Sequence, residues 1–176
     1  MLGSVVTDLV EIRRLGEAKQ AENLDFRRHM AAHHHSEQPF HALAREIESR
    51  IDCTACANCC RHSIVAVSPP EIGAIAAWLR IAPSEAAQQY TAPDPDQPGS
   101  RILWSGEQGC VFLDGNLCMI YPARPKPCRD FPHISGDAPS LGSRFASICR
   151  WAALCPIIYN ALEEYKKLTG YHPRTR

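Results

Sequence analysis

No charge of either sign predominates in this 176-residue chain, in which nineteen Lys and Arg balance nineteen Asp and Glu. That balance excludes the basic face a nonspecific nucleic-acid binder needs, so no nucleic-acid partner is expected. No apolar stretch approaches the roughly 20 residues that cross a bilayer, and no membrane role is expected either. The opening MLGSVVTDLV holds no long apolar run before Glu11, Arg13 and Arg14. A secretory leader shows its basic residues first and a longer apolar run after them, so the expected location is cytoplasmic. A Ser/His/Asp set, a paired carboxylate and a Gly-rich phosphate loop are also lacking, as is any internal repeat. No familiar catalytic class is therefore indicated.

Cysteine is what the chain has in excess: nine residues, four of them within CTACANCC at 53–60. In a reducing compartment clustered thiols point to metal ligation rather than a disulfide scaffold, and nine would leave one unpaired. Thiolates are soft ligands that select zinc, copper(I) or iron–sulfur clusters. The overlapping C-x-x-C units of Cys53, Cys56 and Cys59 offer three ligands in the spacing of a bacterial-ferredoxin [4Fe–4S] loop. Such a loop takes its remaining ligand from a Cys-Pro, and this chain has one at Cys155-Pro156. Cys60 follows Cys59 directly, and neighbouring side chains diverge, so it suits a second centre or another edge of the first. Buried packing of the thiols and a thioredoxin-type dithiol are the alternatives.

The 45% hydrophobic and 22% charged fractions fit an ordinary globular domain of this length. Apolar spacing predicts helix from residue 4 to about 30, and again around Phe40, Leu43, Ala44 and Ile47. His33, His34 and His35 between them read as a solvated interhelix loop, with metal binding as the alternative. Residues 61–67 read as a short strand. Ser68-Pro69-Pro70-Glu71 is a capping box opening a helix with Ile72, Ile75, Ala76 and Leu79 on its buried face. Pro83 starts a further helix to about Tyr90, and 91–100 reads as a surface loop. Asp114-Gly115-Asn116 predicts a hairpin with Cys110 on one arm and Cys118 on the other. Four prolines make 122–132 a stiff loop around Cys128, and 133–147 is polar and Gly-rich. Pro156 opens a last helix stopped at Gly170.

The expected fold is a small, mainly helical α+β domain with a β-hairpin and Pro-rich loops around a cysteine-ligated metal centre. A helical segment, 1–50, is expected to pack on a cysteine-cluster domain, 51–170, as one structural unit. Arg124 and Arg129 flank Cys128, where they can donate to thiolate sulfur and raise a reduction potential, or pair with Asp130 or Asp137. Cys149, beside Trp151, reads as a packing residue.

DCTACANCCR at 52–61, CVFLDGNLCMIYPARPKPCRDFP at 110–132 and CPIIYNALE at 155–163 closely resemble the CxxCxxCC cysteine-cluster family, also called YkgJ-like zinc- or iron-chelating domains. The resemblance implies metal ligation by Cys53, Cys56, Cys59, Cys60, Cys110, Cys118, Cys128 and Cys155, and Cys149 has no place in the pattern. Flagellin lysine N-methylases carry a related cluster, which implies methyl transfer or redox work in the wider family. The first expectation is thus a [4Fe–4S] protein, serving electron transfer or a modifying enzyme through a protein or redox partner. A zinc-stabilised binding module and an N-methylase-like enzyme are the alternatives. Cys53, Cys56, Cys59 and Cys155 are expected to form one site, and Cys60, Cys110, Cys118 and Cys128 another.

Overall fold

A computed structural model describes residues 3–134 and 141–173. The first helices are α1 (Leu9–Ala18), α2 (Gln20–His33), α3 (Gln38–Glu48), α4 (Cys53–Cys56) and α5 (Asn58–His62). Strand β1 (Ala66–Val67) precedes α6 (Pro69–Leu79) and α7 (Pro83–Tyr90). Short strands follow: β2 (Thr91–Pro93), β3 (Arg101–Leu103), β4 (Ser105–Gly106), β5 (Gly109–Cys110), β6 (Leu113–Asp114) and β7 (Leu117–Cys118). A 3-10 turn at Tyr121–Ala123 leads to α8 (Lys126–Asp130), α9 (Leu141–Trp151) and α10 (Pro156–Leu168). The class is mixed α+β, mainly helical with small sheets. No single helix among the described residues is long and apolar enough to cross a membrane.

Contacts divide the chain into a helical unit, Met1–Asp52 with Pro132–Arg176, and a cysteine-bearing unit, Cys53–Phe131. The contact grouping places 132–176 with the N-terminal helices, whereas the sequence pattern carries the cysteine domain from 51 to 170.

In the helical unit the single helix expected from residue 4 to 30 is two. Asp8 caps α1 by accepting the Glu11 amide at 2.8 Å, and the chain breaks at Lys19. Gly16 lets α1 approach the backbone after α9 closely, since a Cβ there would sit 2.3 Å from the Ala153 Cα. On α3, Phe40, Ala44 and Ile47 are buried, as their spacing predicts. Helix α10 is buried on nearly every face, including Asn160 and Lys166. The Asn160 amide accepts from the Val6 N–H at 2.9 Å and donates to its carbonyl at 2.8 Å, pairing the N-terminal segment like a strand. Lys166 donates to Glu22 at 2.6 Å and Glu163 at 2.7 Å, so the buried ammonium is compensated. Part of the stretch read as polar and Gly-rich is α9, which buries Leu141, Phe145, Ile148 and Cys149. Phe145 and Tyr165 both pack edge-on to Phe26, at 5.7 and 5.9 Å. Helix α10 is capped at Gly170 (φ 65), whose N–H donates to the Lys167 carbonyl.

In the cysteine-bearing unit β1, β3 and β2 form an antiparallel sheet in that order. It packs with α6 and α7 around Val67, Ile72, Ile75, Leu103, Phe112 and Ile120. The predicted capping box is present, with Glu71 accepting from both the amide and the hydroxyl of Ser68. Three expectations are corrected here. The first three residues of the expected loop 91–100 pair with β3 as β2. The predicted hairpin forms between β6 and β7, but Cys110 lies on a separate hairpin, where β5 pairs with β4 and Cys110 faces Ser105. The stiff loop holds α8, because Pro127 falls within the first turn, where a missing N–H costs nothing.

Candidate metal centre

The cysteine run folds as two turns of helix, α4 and α5, hinged at Ala57 in the left-handed region (φ 48). The Ala57 N–H donates to the Cys53 carbonyl at 2.9 Å, closing the first turn. Cys53 is exposed, and Cys56, Cys59 and Cys60 are half-buried.

Two side chains tie this run to the turn of the β6–β7 hairpin. Arg61 Nη1 donates to the Cys56 carbonyl at 3.0 Å, and Nη2 donates to the Gly115 carbonyl at 2.9 Å and to Asn116 Oδ1 at 2.5 Å. Asn116 Nδ2 donates in turn to the Ala55 carbonyl at 2.8 Å. On the other side β5 lies directly against α5. A Cβ on Gly109 (φ 102) would meet the Arg61 Cα at 2.6 Å and the Cys60 carbonyl at 2.8 Å. Glu71 supplies a third tie. Its Oε1 accepts the Lys126 amide at 2.8 Å, so the capping box that starts α6 also fixes the start of α8, which carries Cys128.

These ties bring four thiols into one electrostatic group. Cys60 is drawn down to about 6, first by a hydrogen bond from the Cys59 thiol, against burial, and then by the charges of Arg124 and Arg61. Burial pushes Cys110 up, against a hydrogen bond from the Phe112 N–H, and the charges of Cys60 and Cys118 push it further. Cys118 is also raised, by burial and by Cys60, against a bond from the Ile120 N–H and the charge of Arg124. Burial, then the charges of Cys110, Cys60 and Cys118, push Cys128 up to about 12, with Arg124 opposing. The same local motif therefore occurs twice, a sulfur accepting from the amide two residues on. Four half-buried thiols this close cannot all ionise by themselves. A soft cation among them removes the repulsion, which is the condition a thiolate metal site meets. The donor set fits zinc or iron.

Of the flanking arginines, Arg124 acts on the sulfurs directly, while its guanidinium lies 3.6 Å over the Tyr121 ring. Arg129 instead donates to the Arg124 carbonyl at 2.8 Å and lowers the Glu71 carboxyl. Asp130 forms an ion pair with Lys126. Asp137 lies outside the described residues.

Cys155 belongs to the helical unit, buried at the N-cap of α10. Cys149 is buried in α9, and burial pushes its thiol up to about 11. The sequence reading missed Arg61 and Asn116 as the clamp and saw Glu71 only as a helix cap. Arg61 directly follows Cys60 and Asn116 completes the hairpin turn, but nothing in the sequence pairs them.

No curated protein and no solved structure matches the chain. One family model, CxxCxxCC, described as a putative zinc- or iron-chelating domain, matches residues 52–155, more than half of the chain. The chain belongs to that metal-chelating family.

Proposed function

We propose that the protein is a thiolate-ligated iron–sulfur protein that exchanges electrons with a protein partner. The observation that supports this most is the mutual coupling of Cys60, Cys110, Cys118 and Cys128 beside Arg124. These four form one centre. Cys53, Cys56 and Cys59 supply ligands for the other in this reading. The four coupled thiols are the number a cubane cluster takes. When bound, such a cluster supplies one-electron transfer. The chain's own part is to hold its charge. The Phe112 and Ile120 amides donate to sulfur and Arg124 adds a positive charge, both of which raise a reduction potential.

A zinc-stapled binding module is the second reading, favoured by the shortness of the elements around the thiols. Most strands here are two residues long and α4 has four, too little to be stable alone. Protein purified without oxygen, with metal analysis and an absorption spectrum, separates the two. A brown protein absorbing near 400 nm supports the iron–sulfur reading. A colourless protein with stoichiometric zinc overturns it in favour of the module. Serine substitutions then test the partition: Cys118→Ser should leave the Cys53 site loaded, and Cys56→Ser should leave the Cys118 site loaded. If either empties everything, the thiols serve one coupled centre.

A further inference from the structure

We propose that His29, His33 and His35 form an all-histidine binding site for a divalent cation of the zinc class, with its own ligand set in the helical unit. The site is built by the end of α2. His29 and His33 are one helical turn apart and share a face. His34 stands in the left-handed conformation (φ 51, ψ 37) and ends the helix. The chain reverses there and returns His35 to the face of His29 and His33, while His34 itself is left out of the group.

The three rings converge. Their centroids lie 4.2 Å (His29–His33), 5.2 Å (His29–His35) and 5.8 Å (His33–His35) apart. One nitrogen from each ring can be chosen so that all lie within 4.8 Å of one another. His29 Nε2 and His35 Nε2 are 3.3 Å apart. Two nitrogens on one tetrahedral zinc, each about 2.0–2.1 Å from the ion, stand about 3.3–3.4 Å apart. The gap is that of two ligands of one ion.

The rings are also held as metal ligands usually are. His33 Nδ1 lies 2.8 Å from the His29 carbonyl, a bond in which the ring N–H donates and Nε2 keeps its lone pair. His29 hydrogen-bonds the Thr169 backbone through its ring, and its Nε2 faces His35. Behind it, Tyr171 packs edge-on at 5.3 Å and Phe26 stacks at 6.2 Å, fixing the ring plane. The carbonyl end of α2 favours a cation at this position. Three neutral imidazoles suit zinc, nickel or copper rather than magnesium or calcium. With His33 exposed, a fourth position stays open to water, so the bound ion should be exchangeable.

The test is zinc titration of the full chain as purified, reading metal per chain and the imidazole nitrogen resonances of the eight histidines. The wild type and His34→Ala should bind one zinc ion beyond the metal already held. That ion should move the ring signals of His29, His33 and His35 together. His33→Ala and His35→Ala, with unchanged melting curves, should weaken the added ion at least tenfold. Because the comparison is a difference between variants, it holds whatever metal the thiols carry. The proposal is overturned if no ion is added, if the ion survives in both His33→Ala and His35→Ala, or if His34→Ala loses it equally.

Discussion

Arg61→Ala should cost the cysteine-bearing unit about 2–3 kcal/mol, and loosen its metal roughly 30- to 100-fold. The side chain makes three hydrogen bonds, to the carbonyls of Cys56 and Gly115 and to Asn116 Oδ1. Each is worth about 0.5–1.5 kcal/mol net, and two are exposed, which places the sum in the lower half of the range. Without them, the Asn116 bond to Ala55 is what remains of the clamp between the α4–α5 turns and the β6–β7 hairpin. The ion then has to supply the ordering that the clamp supplies now, and each 1.4 kcal/mol of that is tenfold in affinity. Release of metal to a chromogenic chelator and urea unfolding of the loaded protein read the two quantities. Arg61→Lys keeps the charge near Cys60 but loses the two-pronged geometry, so it should fall between wild type and alanine. Asn116→Ala combined with Arg61→Ala should cost less than the sum of the two, since the pair shares a bond. Wild-type metal release and stability in Arg61→Ala would refute the argument that the clamp assembles the site.

Three further outcomes are expected. Cys149→Ala should cost about 1–2 kcal/mol in unfolding experiments and no metal, since its thiol is buried and held neutral; loss of metal would make it a ligand. Lys166→Met should destabilise the helical unit by about 3 kcal/mol near neutral pH, as the Glu22 and Glu163 carboxylates lose their shared partner. Burial raises Glu163, but its bonds from Lys166 and Lys19 outweigh that and hold it below its ordinary 4.5. Its contribution is therefore full above pH 4.5 and is lost as the pH falls through the depressed value. The variant should show a shallower acid loss than wild type, and equal slopes would count against the pairing. Asn160→Ala should cost about 2–4 kcal/mol, because three hydrogen bonds go and the Val6 amide and carbonyl lose their partner. Amide exchange should rise at Val6, and unchanged protection there would show that the bond does not hold the segment.

Local signals were legible where one residue type decides the backbone. The Ser68–Glu71 capping box, the Pro83 and Pro156 helix starts and the Gly115 turn all fall where the sequence puts them. Helix α9 was hidden because Gly142 and two serines dilute a stripe that only Leu141, Phe145, Ile148 and Cys149 carry. Cys110 was placed on the wrong hairpin because its pairing with Ser105 depends on the Gly106–Gly109 turn, which carries no Asp-Gly or Asn-Gly signal. Cys53, Cys56 and Cys59 could be read as thiol candidates from spacing and the full set of eight from the family resemblance, but the clamp could be read from neither. Arg61 and Asn116 are 55 residues apart, and no periodicity links them. His29 was passed over because it stands four residues before the visible His33-His34-His35 run, and only the left-handed turn at His34 unites them.

The division of the chain into a discontinuous helical unit and a continuous cysteine-bearing one also sets an order of synthesis. Helix α10 is the principal partner of α3 and a partner of α1, and it begins at Pro156. At ribosomal rates of about 5–20 residues per second, the roughly 100 residues between Asp52 and Pro156 take on the order of 5–20 s. Throughout that interval α1 and α3, which carry Ile12, Phe40 and Ile47, lack the α10 contact. The stretch from Cys53 to Phe131 has by then been synthesised whole. Cys60, Cys110, Cys118 and Cys128 are thus all made first, while the N-terminal helices wait on the nascent chain with apolar faces open to chaperones. Limiting metal during translation and limiting chaperone should therefore damage different halves of the molecule.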